Sequence, residues 1–150
     1  MLKLNQVKKM FPGPDGPVYA VDGVSLQIDD GEFVAVHGPS GCGKTTLLLA
    51  AGALLRPTEG EVRIDDTDPY GLSADKRARM RGKTIGFVFQ RFHLVPYLSV
   101  LDNILVPALG TPQSDSRERA EELLERLNLG HRIKHLPAAL STGERQRTVI

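Results

Sequence analysis

Apolar and polar residues alternate along the first part of the chain, which is the pattern of strands with one buried face. Leu2, Leu4 and Val7 predict an opening strand, and a second alternating stretch covers residues 18–28. Between them, residues 11–17 contain three prolines and two glycines. This segment is therefore predicted to be a turn with notable mobility.

Two continuous apolar runs differ from this pattern and predict strands that are buried on both faces. The first is Phe-Val-Ala-Val at residues 33–36, and the second is residues 85–90, which ends in Gln90. A shorter strand is expected at residues 60–64. Strands of this kind, separated by helical segments, predict an α/β fold.

Two helices are predicted in the first half of the chain. Residues 45–55 form a good helix sequence that stops at Arg56-Pro57, because proline cannot continue a helix. Residues 73–81 predict a second, polar helix. A buried strand, a glycine-rich loop and a helix thus follow one another from residue 33 onwards.

The second half is predicted to be mainly helical. Asp115, with Glu118 three residues later, resembles a capping box, and Gly130 stands where a helix C-cap belongs. The apolar positions between them fall on one helical face: Ala120, Leu123, Leu124 and Leu127.

Composition narrows the choice of partners. The 150 residues are 41 % hydrophobic, and 19 lysines and arginines nearly balance 18 aspartates and glutamates. No general positive field is available to attract nucleic acid or an anionic membrane. There is no signal-peptide pattern at the start, the apolar run 47–55 is too short to span a bilayer, and Cys42 is a single cysteine. These features predict a soluble, cytoplasmic protein.

A phosphate-binding loop follows the first continuous apolar run, with the sequence Gly38-Pro39-Ser40-Gly41-Cys42-Gly43-Lys44-Thr45, continued by Thr46. Glycines allow backbone N–H groups to approach phosphate oxygens, and the helix start adds its positive dipole end. Lys44 is suited to neutralise the β/γ charge, and Thr45 offers a hydroxyl to Mg²⁺. We therefore expect a bound nucleotide, ATP with magnesium. The less specific interpretation of the loop is an ordinary tight turn.

Other polar residues give weaker signals. Cys42 at a helix start has the setting of a redox-sensitive thiol, although many small residues are tolerated there. His131 and His135 lack further metal-ligand residues at a suitable spacing. Three aspartates are interpreted as turn residues: Asp65, Asp66 and Asp68.

With Gln90 and the element Leu140-Ser141-Thr142-Gly143-Glu144-Arg145-Gln146-Arg147, the chain resembles the nucleotide-binding domain of ATP-binding cassette (ABC) transporters. The resemblance covers all 150 residues, and three stretches look most like the macrolide-export and lipoprotein-releasing branch: residues 31–36, residues 85–90 and Leu101-Asp102-Asn103-Ile104. The resemblance implies a P-loop NTPase with an N-terminal antiparallel β subdomain and an α-helical subdomain. Residues 1–90 would hold the core and β subdomain, and residues 91–150 the helical subdomain up to the signature motif.

The resemblance also implies roles for individual residues. Phe11 matches the aromatic residue that stacks on adenine, with Tyr19 a weaker candidate. Gln90 matches the glutamine that, with Thr45, contacts magnesium, and residues 91–97 match the face that touches the membrane subunit.

The signature element implies a dimer. Ser141 followed by Glu144 is also a capping-box pattern, so a helix start with free N–H groups is expected there. In the family, Ser141, Gly143 and Glu144 would face the γ-phosphate held by a second subunit, in a head-to-tail homodimer docked on the cytoplasmic side of the cell membrane. Thr142 replaces the usual first glycine of this motif, which puts the strength of the ATP sandwich in question.

The resemblance places the acidic pair and the switch histidine of the family after Ile150. None of these positions is present, and the core sheet is expected to lack its C-terminal part. We assign no catalytic residue and expect the chain alone to bind ATP without cleaving it.

Three functions remain open from the sequence. The first is the ATPase subunit of an ABC transporter, and the second is a non-hydrolysing nucleotide-binding or regulatory module. The third, a soluble P-loop kinase or repair ATPase, leaves the Ser141–Arg147 element unexplained.

Overall fold

The computed structural model describes residues 1–110 and 115–150, which divide into two compact units, Met1–Ile85 and Gly86–Ile150. The strands are β1 (Leu2–Gly13), β2 (Gly16–Ile28) and β3 (Glu59–Ile64). The helices are α1 (Lys44–Ala51), α2 (Ala74–Thr84), α3 (Val100–Leu105), α4 (Ser116–Arg126) and α5 (Thr142–Thr148). Short 3₁₀ turns lie at Val106–Leu109, Gly130–Arg132 and Pro137–Ala139.

The first unit contains an antiparallel three-stranded sheet in the order β2-β1-β3. The alternating residues of the three strands turn one face inward, as predicted, and the core of the unit includes Leu4, Val7, Val21, Val62 and Ile64. The antiparallel β subdomain expected from the sequence is thereby confirmed.

The predicted turn at residues 11–17 is shorter than expected. Phe11 pairs with Val18, and Pro12 lies opposite Pro17, so the strands continue to Gly13 and Gly16. Proline is tolerated near the end of a strand, where few ladder hydrogen bonds are lost. The composition therefore overstated the length of the turn.

The two predicted buried strands are wrong as elements of this structure. Residues 33–36 and 85–90 form no ladder with any strand of the described residues, and Phe33 is 94 % exposed. A strand buried on both faces needs hydrogen-bonded neighbours on its edges. The described sheet consists of β2, β1 and β3, so these two runs are not part of it.

The two predicted helices of the first unit are present with shifted ends. Helix α1 ends at Ala51, earlier than predicted, because Gly52 caps it and Ala53 adopts a left-handed conformation with φ of 58°. Helix α2 begins after Ser73, whose side chain accepts a hydrogen bond from the Lys76 N–H. Ser73 therefore caps the helix instead of belonging to it.

The second unit is helical, as predicted. Its core consists of Val100, Leu101, Ala120, Leu124, Leu129 and Leu140. On α4 the predicted apolar face is only partly buried, since Leu124 is fully buried while Leu123 is 40 % exposed.

The predicted start of α4 at Asp115 is confirmed, but the predicted capping box and the predicted C-terminal end are wrong. Asp115 is the N-cap, but its φ of −102° and ψ of 7° depart from the extended cap geometry, and its side chain accepts no capping hydrogen bond. The helix ends at Arg126, before Gly130, which starts a 3₁₀ turn instead.

Candidate nucleotide-binding site

The glycine-rich loop ends at the start of helix α1, where Gly43 is the N-cap residue. Gly43 has φ of 91°, and a Cβ added there would lie 1.8 Å from the Ala20 carbonyl oxygen. Only glycine fits this approach of the loop to strand β2. The tight contact fixes the position at which the helix begins.

The first turn of α1 presents unpaired backbone N–H groups at the loop. The Leu47 N–H makes the first intrahelical bond, to the Gly43 carbonyl at 2.8 Å, and Gly43 supplies no capping side chain. The N–H groups of Lys44, Thr45 and Thr46 precede that bond and point out of the helix end. This arrangement, with the positive end of the helix dipole, suits an anion.

The Lys44 ammonium is folded onto the loop. Its Nζ donates to the carbonyl oxygens of Gly38 at 2.8 Å and Pro39 at 2.7 Å, and it lies 3.6 Å from Cys42 Sγ. Neutral carbonyl oxygens are weaker hydrogen-bond acceptors for an ammonium than the negatively charged oxygens of a phosphate. The Lys44 ammonium is held against the backbone of the loop.

The remaining loop residues are accessible. Pro39, Ser40, Gly41 and Cys42 are all exposed, as is Thr45 in the first turn of α1. Only Gly43 and Lys44, at the end of the loop, are partly covered. The donors and the hydroxyl oxygen form a chemically suitable set for a magnesium-bound phosphate chain.

Phe11 lies within strand β1, although the sequence placed it after the strand. The residue is 39 % exposed, and Lys9 Nζ lies over its ring at 5.3 Å from the centroid. Tyr19, the weaker candidate, is 54 % exposed and pairs with Met10 across the hairpin. Phe11 thus offers an accessible aromatic surface in the same unit as the phosphate loop.

Gln90 is exposed in the second unit, at the end of an aromatic segment. The rings of Phe87 and Phe89 stack with centroids 5.5 Å apart, and His93 meets Phe89 edge-on at 5.3 Å. These rings line a cavity of about 820 Å³ that Leu94, Leu127 and Ile150 also border.

Asn103 organises the loop that follows Gln90. Its Oδ1 accepts from the Val95 N–H at 2.7 Å, and its Nδ2 is placed to donate to the carbonyls of Val95, Leu98 and Ser99 at 3.0–3.2 Å. Sequence reasoning cited Asn103 only as part of a family-like stretch. Its position on α3 next to a proline-containing loop was the available signal.

The signature element forms the predicted capping box at the start of α5. Ser141 is the N-cap, its hydroxyl accepts from the Glu144 N–H at 3.3 Å, and the Ser141 N–H donates to Glu144 Oε2 at 2.7 Å. Thr142 and Gly143 are exposed at the first two positions of the helix. A threonine is accommodated here without a change in the helix start.

Arg132 holds the other oxygen of the same carboxylate. Its Nε donates to Glu144 Oε1 at 2.8 Å, and His131 Nε2 lies 3.8 Å from that oxygen. The Ser141 N–H and then Arg132 lower the pKa of Glu144 to about 2. Sequence reasoning missed Arg132, because no local periodicity connects residues twelve positions apart.

Two clusters of predicted site residues result. The first unit brings together the loop, Lys44, Thr45 and Thr46, and it also carries Phe11. In the second unit, Ser141, Gly143 and Glu144 meet at the start of α5, and Gln90 follows the aromatic segment.

The fold and the phosphate loop define this chain as a P-loop nucleotide-binding domain. A family model described as "ABC transporter" matches residues 21–150. The chain belongs to the ABC transporter family, as the resemblance implied.

Relatives support the predicted branch. The chain is 47 % identical to lipoprotein-releasing system ATP-binding protein LolD 1 of Rhodopirellula baltica, over its whole length and 66 % of that protein. It is 44 % identical to the macrolide export ATP-binding/permease protein MacB of Burkholderia thailandensis, over its whole length and 23 % of that protein. The chain thus spans about two thirds of LolD 1 and under a quarter of MacB.

A solved structure shares the fold. The ATP-binding cassette MJ0796, in a dimeric post-hydrolysis state bound to ADP and Pi, superposes with a TM-score of 0.92 at 39 % identity. The match covers 99 % of this chain and 67 % of that one.

Within residues 1–110 and 115–150, no helix combines the length and apolar content that a bilayer crossing requires.

Proposed function

We propose that this chain is the ATP-binding part of an ABC transporter subunit and that it binds MgATP at residues 38–46. The observation that carries the proposal is the loop itself, in which Gly43 packs against Ala20 and Lys44 Nζ is held by the Gly38 and Pro39 carbonyls. The unpaired N–H groups at the start of α1 complete a cradle for the phosphate chain.

The individual roles follow from position and chemistry. Lys44 neutralises the β- and γ-phosphates, Thr45 supplies a hydroxyl to Mg²⁺, and Thr46 contributes its backbone N–H. Phe11 stacks on adenine through its accessible ring. Gln90 is proposed as a second magnesium contact. When bound, the metal neutralises phosphate charge.

The start of α5 serves the opposite subunit of a homodimer. We propose that Ser141, Gly143 and Glu144 face the γ-phosphate bound by a second copy, so that two chains enclose two nucleotides head to tail. The capping box supports this role, because it holds the helix start rigid. MJ0796, which shares the fold, is described as a dimer.

The whole protein is proposed to couple ATP hydrolysis to transport. Residues 91–97 would contact integral membrane subunits on the cytoplasmic side of the membrane, and Asn103 holds Val95 within this segment by hydrogen bonds. In this proposal residues 1–90 supply the nucleotide-binding core and β subdomain, and residues 91–150 supply the helical subdomain. The names of LolD 1 and MacB support a role in export or release.

Isothermal titration with MgATP tests the proposal. Lys44→Ala removes a charged hydrogen-bond donor to phosphate, so the Kd is expected to rise about 10- to 100-fold. Lys83→Ala on the exposed end of α2 is the matched control and leaves the Kd unchanged. Absence of binding by the wild-type chain, or unaltered binding by Lys44→Ala, would contradict the proposal.

A further inference from the structure

Lys9 has contacts that the proposed function leaves unexplained. It lies two residues before Phe11 on strand β1, and its ammonium sits over the Phe11 ring at 5.3 Å from the centroid. Resting on the proposed stacking of adenine on Phe11, we propose that Lys9 is a positioning residue that sets the Phe11 ring for the base.

The Lys9 ammonium also makes a hydrogen bond. Lys9 Nζ donates to the Arg56 carbonyl at 2.8 Å, which fixes the end of the flexible side chain. A cation held over one face of an aromatic ring attracts the ring and restricts its rotation. With Lys9 over one face, Phe11 is still 39 % exposed, which leaves the residue accessible to a base.

Hydrogen bonds continue from Arg56 to the helix that follows the phosphate loop. The Arg56 guanidinium donates to the Tyr70 carbonyl at 2.6 Å. The Tyr70 hydroxyl lies 2.7 Å from the carbonyl oxygens of Ala50, on α1, and Leu55, and its single proton is shared between them. Lys9 therefore connects the Phe11 ring to α1 through a chain of hydrogen bonds, called here the Arg56–Tyr70 framework.

The strand that carries Phe11 is also bound to this framework. The Met10 N–H donates to Thr58 Oγ1 at 3.1 Å, and the Thr58 N–H donates to the Lys8 carbonyl at 2.8 Å. Residues 8–10 thus cannot shift relative to residues 56–58 without breaking hydrogen bonds. These hydrogen bonds fix the backbone of the strand, and Lys9 fixes the orientation of the Phe11 ring.

This arrangement predicts an effect on the base end of the nucleotide alone. A ring already fixed in its stacking orientation loses less conformational freedom when the base binds. The phosphate chain contacts the loop at residues 38–46 and does not need Phe11. Loss of Lys9 should therefore weaken the binding of MgATP and leave the binding of a triphosphate without a base unaffected.

The experiment compares MgATP with magnesium tripolyphosphate in calorimetric titrations of the full chain. Lys9→Met keeps most of the side-chain volume and removes the ammonium, and the Kd for MgATP is expected to rise about 2- to 5-fold. The Kd for tripolyphosphate should stay the same, which also shows that the variant is folded. Lys9→Arg keeps a cation and restores most of the affinity, and Lys3→Met on the same strand is the matched control.

A double-mutant cycle with Phe11→Ala separates this inference from the proposed function. If Lys9 acts through the ring, adding Lys9→Met to the Phe11→Ala variant does not change the Kd for MgATP any further. An additive effect, an unchanged Kd in Lys9→Met alone, or equal losses for both probes would overturn the role of Lys9. If Phe11→Ala binds MgATP like the wild type, the stacking role itself is wrong, and this inference falls with it.

Discussion

Arg132 Nε lies 2.8 Å from Glu144 Oε1 and joins the 3₁₀ turn at Gly130–Arg132 to the first turn of α5. The other oxygen of Glu144 accepts from the Ser141 N–H. The signature element is thus held from outside its own helix as well as by its capping box. A helix of seven residues has little stability alone, so such external contacts decide whether its start is ordered.

The carboxylate of Glu144 should make the free energy of unfolding depend on pH in the acid range. Its pKa falls from 4.5 to about 2 in the folded chain, first because of the Ser141 N–H and then because of Arg132. A lowered pKa means that the stabilisation is complete above about pH 4.5 and is lost as the pH falls towards 2. Urea unfolding at pH 7, 4 and 3 should therefore show a steeper acid loss in the wild type than in Glu144→Gln.

Glu122→Gln provides the control for this pH series, because Glu122 is exposed on α4. Its acid dependence should match that of the wild type. Equal pH profiles for wild type and Glu144→Gln would show that the carboxylate contributes no pH-dependent stability.

Gly43→Ala should destabilise the first unit. The new Cβ would meet the Ala20 carbonyl at 1.8 Å and would force alanine to adopt φ of 91°. We expect the free energy of unfolding to fall by more than about 2 kcal/mol in urea titrations. Gly82→Ala, inside α2 with open space around it, should instead stabilise by about 0.5–1 kcal/mol. Similar effects of the two substitutions would contradict the packing described for the loop.

Tyr70→Phe should lower the stability of the first unit. The hydroxyl pairs with the Ala50 and Leu55 carbonyls, and burial raises the pKa of Tyr70 to about 12. Removing it leaves those carbonyls without this donor and should cost about 1–3 kcal/mol of unfolding free energy. Tyr97→Phe, on a side chain that is 78 % exposed, should change stability by less than about 0.5 kcal/mol. A thermal melt of Tyr70→Phe that coincides with the wild type would refute this expectation.

Asn103→Ala should loosen the loop that follows Gln90. The Val95 N–H would lose its acceptor, and three carbonyls would lose the Nδ2 donor. Hydrogen exchange at Val95 should accelerate by at least about tenfold, since each 1.4 kcal/mol lost from a local opening free energy is one factor of ten. Gln146→Ala, exposed on α5, should leave that rate unchanged. Unaltered protection of Val95 in Asn103→Ala would mean that backbone contacts alone hold the loop.

Local chemistry made several features predictable from the sequence. The capping box at Ser141 and Glu144 depends on two residues three positions apart, and the glycine-rich loop depends on the spacing of Gly43 and Lys44. The alternation in β1 and β2 likewise follows from one buried face per strand. Such signals lie within a few residues of each other, and the structure confirms the elements.

Short-range signals failed where geometry decided the outcome. Asp115 is a favourable cap residue, but its backbone angles keep the side chain from the cap position. The prolines at positions 12 and 17 suggested a long turn, although they face each other within the hairpin.

The sequence by itself determined the glycine-rich loop, the antiparallel β subdomain, the helical second half and the family. The tertiary structure decided that residues 33–36 join no strand among those described, because an apolar run becomes a buried strand only beside hydrogen-bonded neighbours. It also decided that Lys9 covers Phe11 and that Arg132 holds Glu144. The Arg132 pair and the Lys9–Arg56 anchor join residues far apart in sequence, and whether such side chains meet depends on the path of the whole chain.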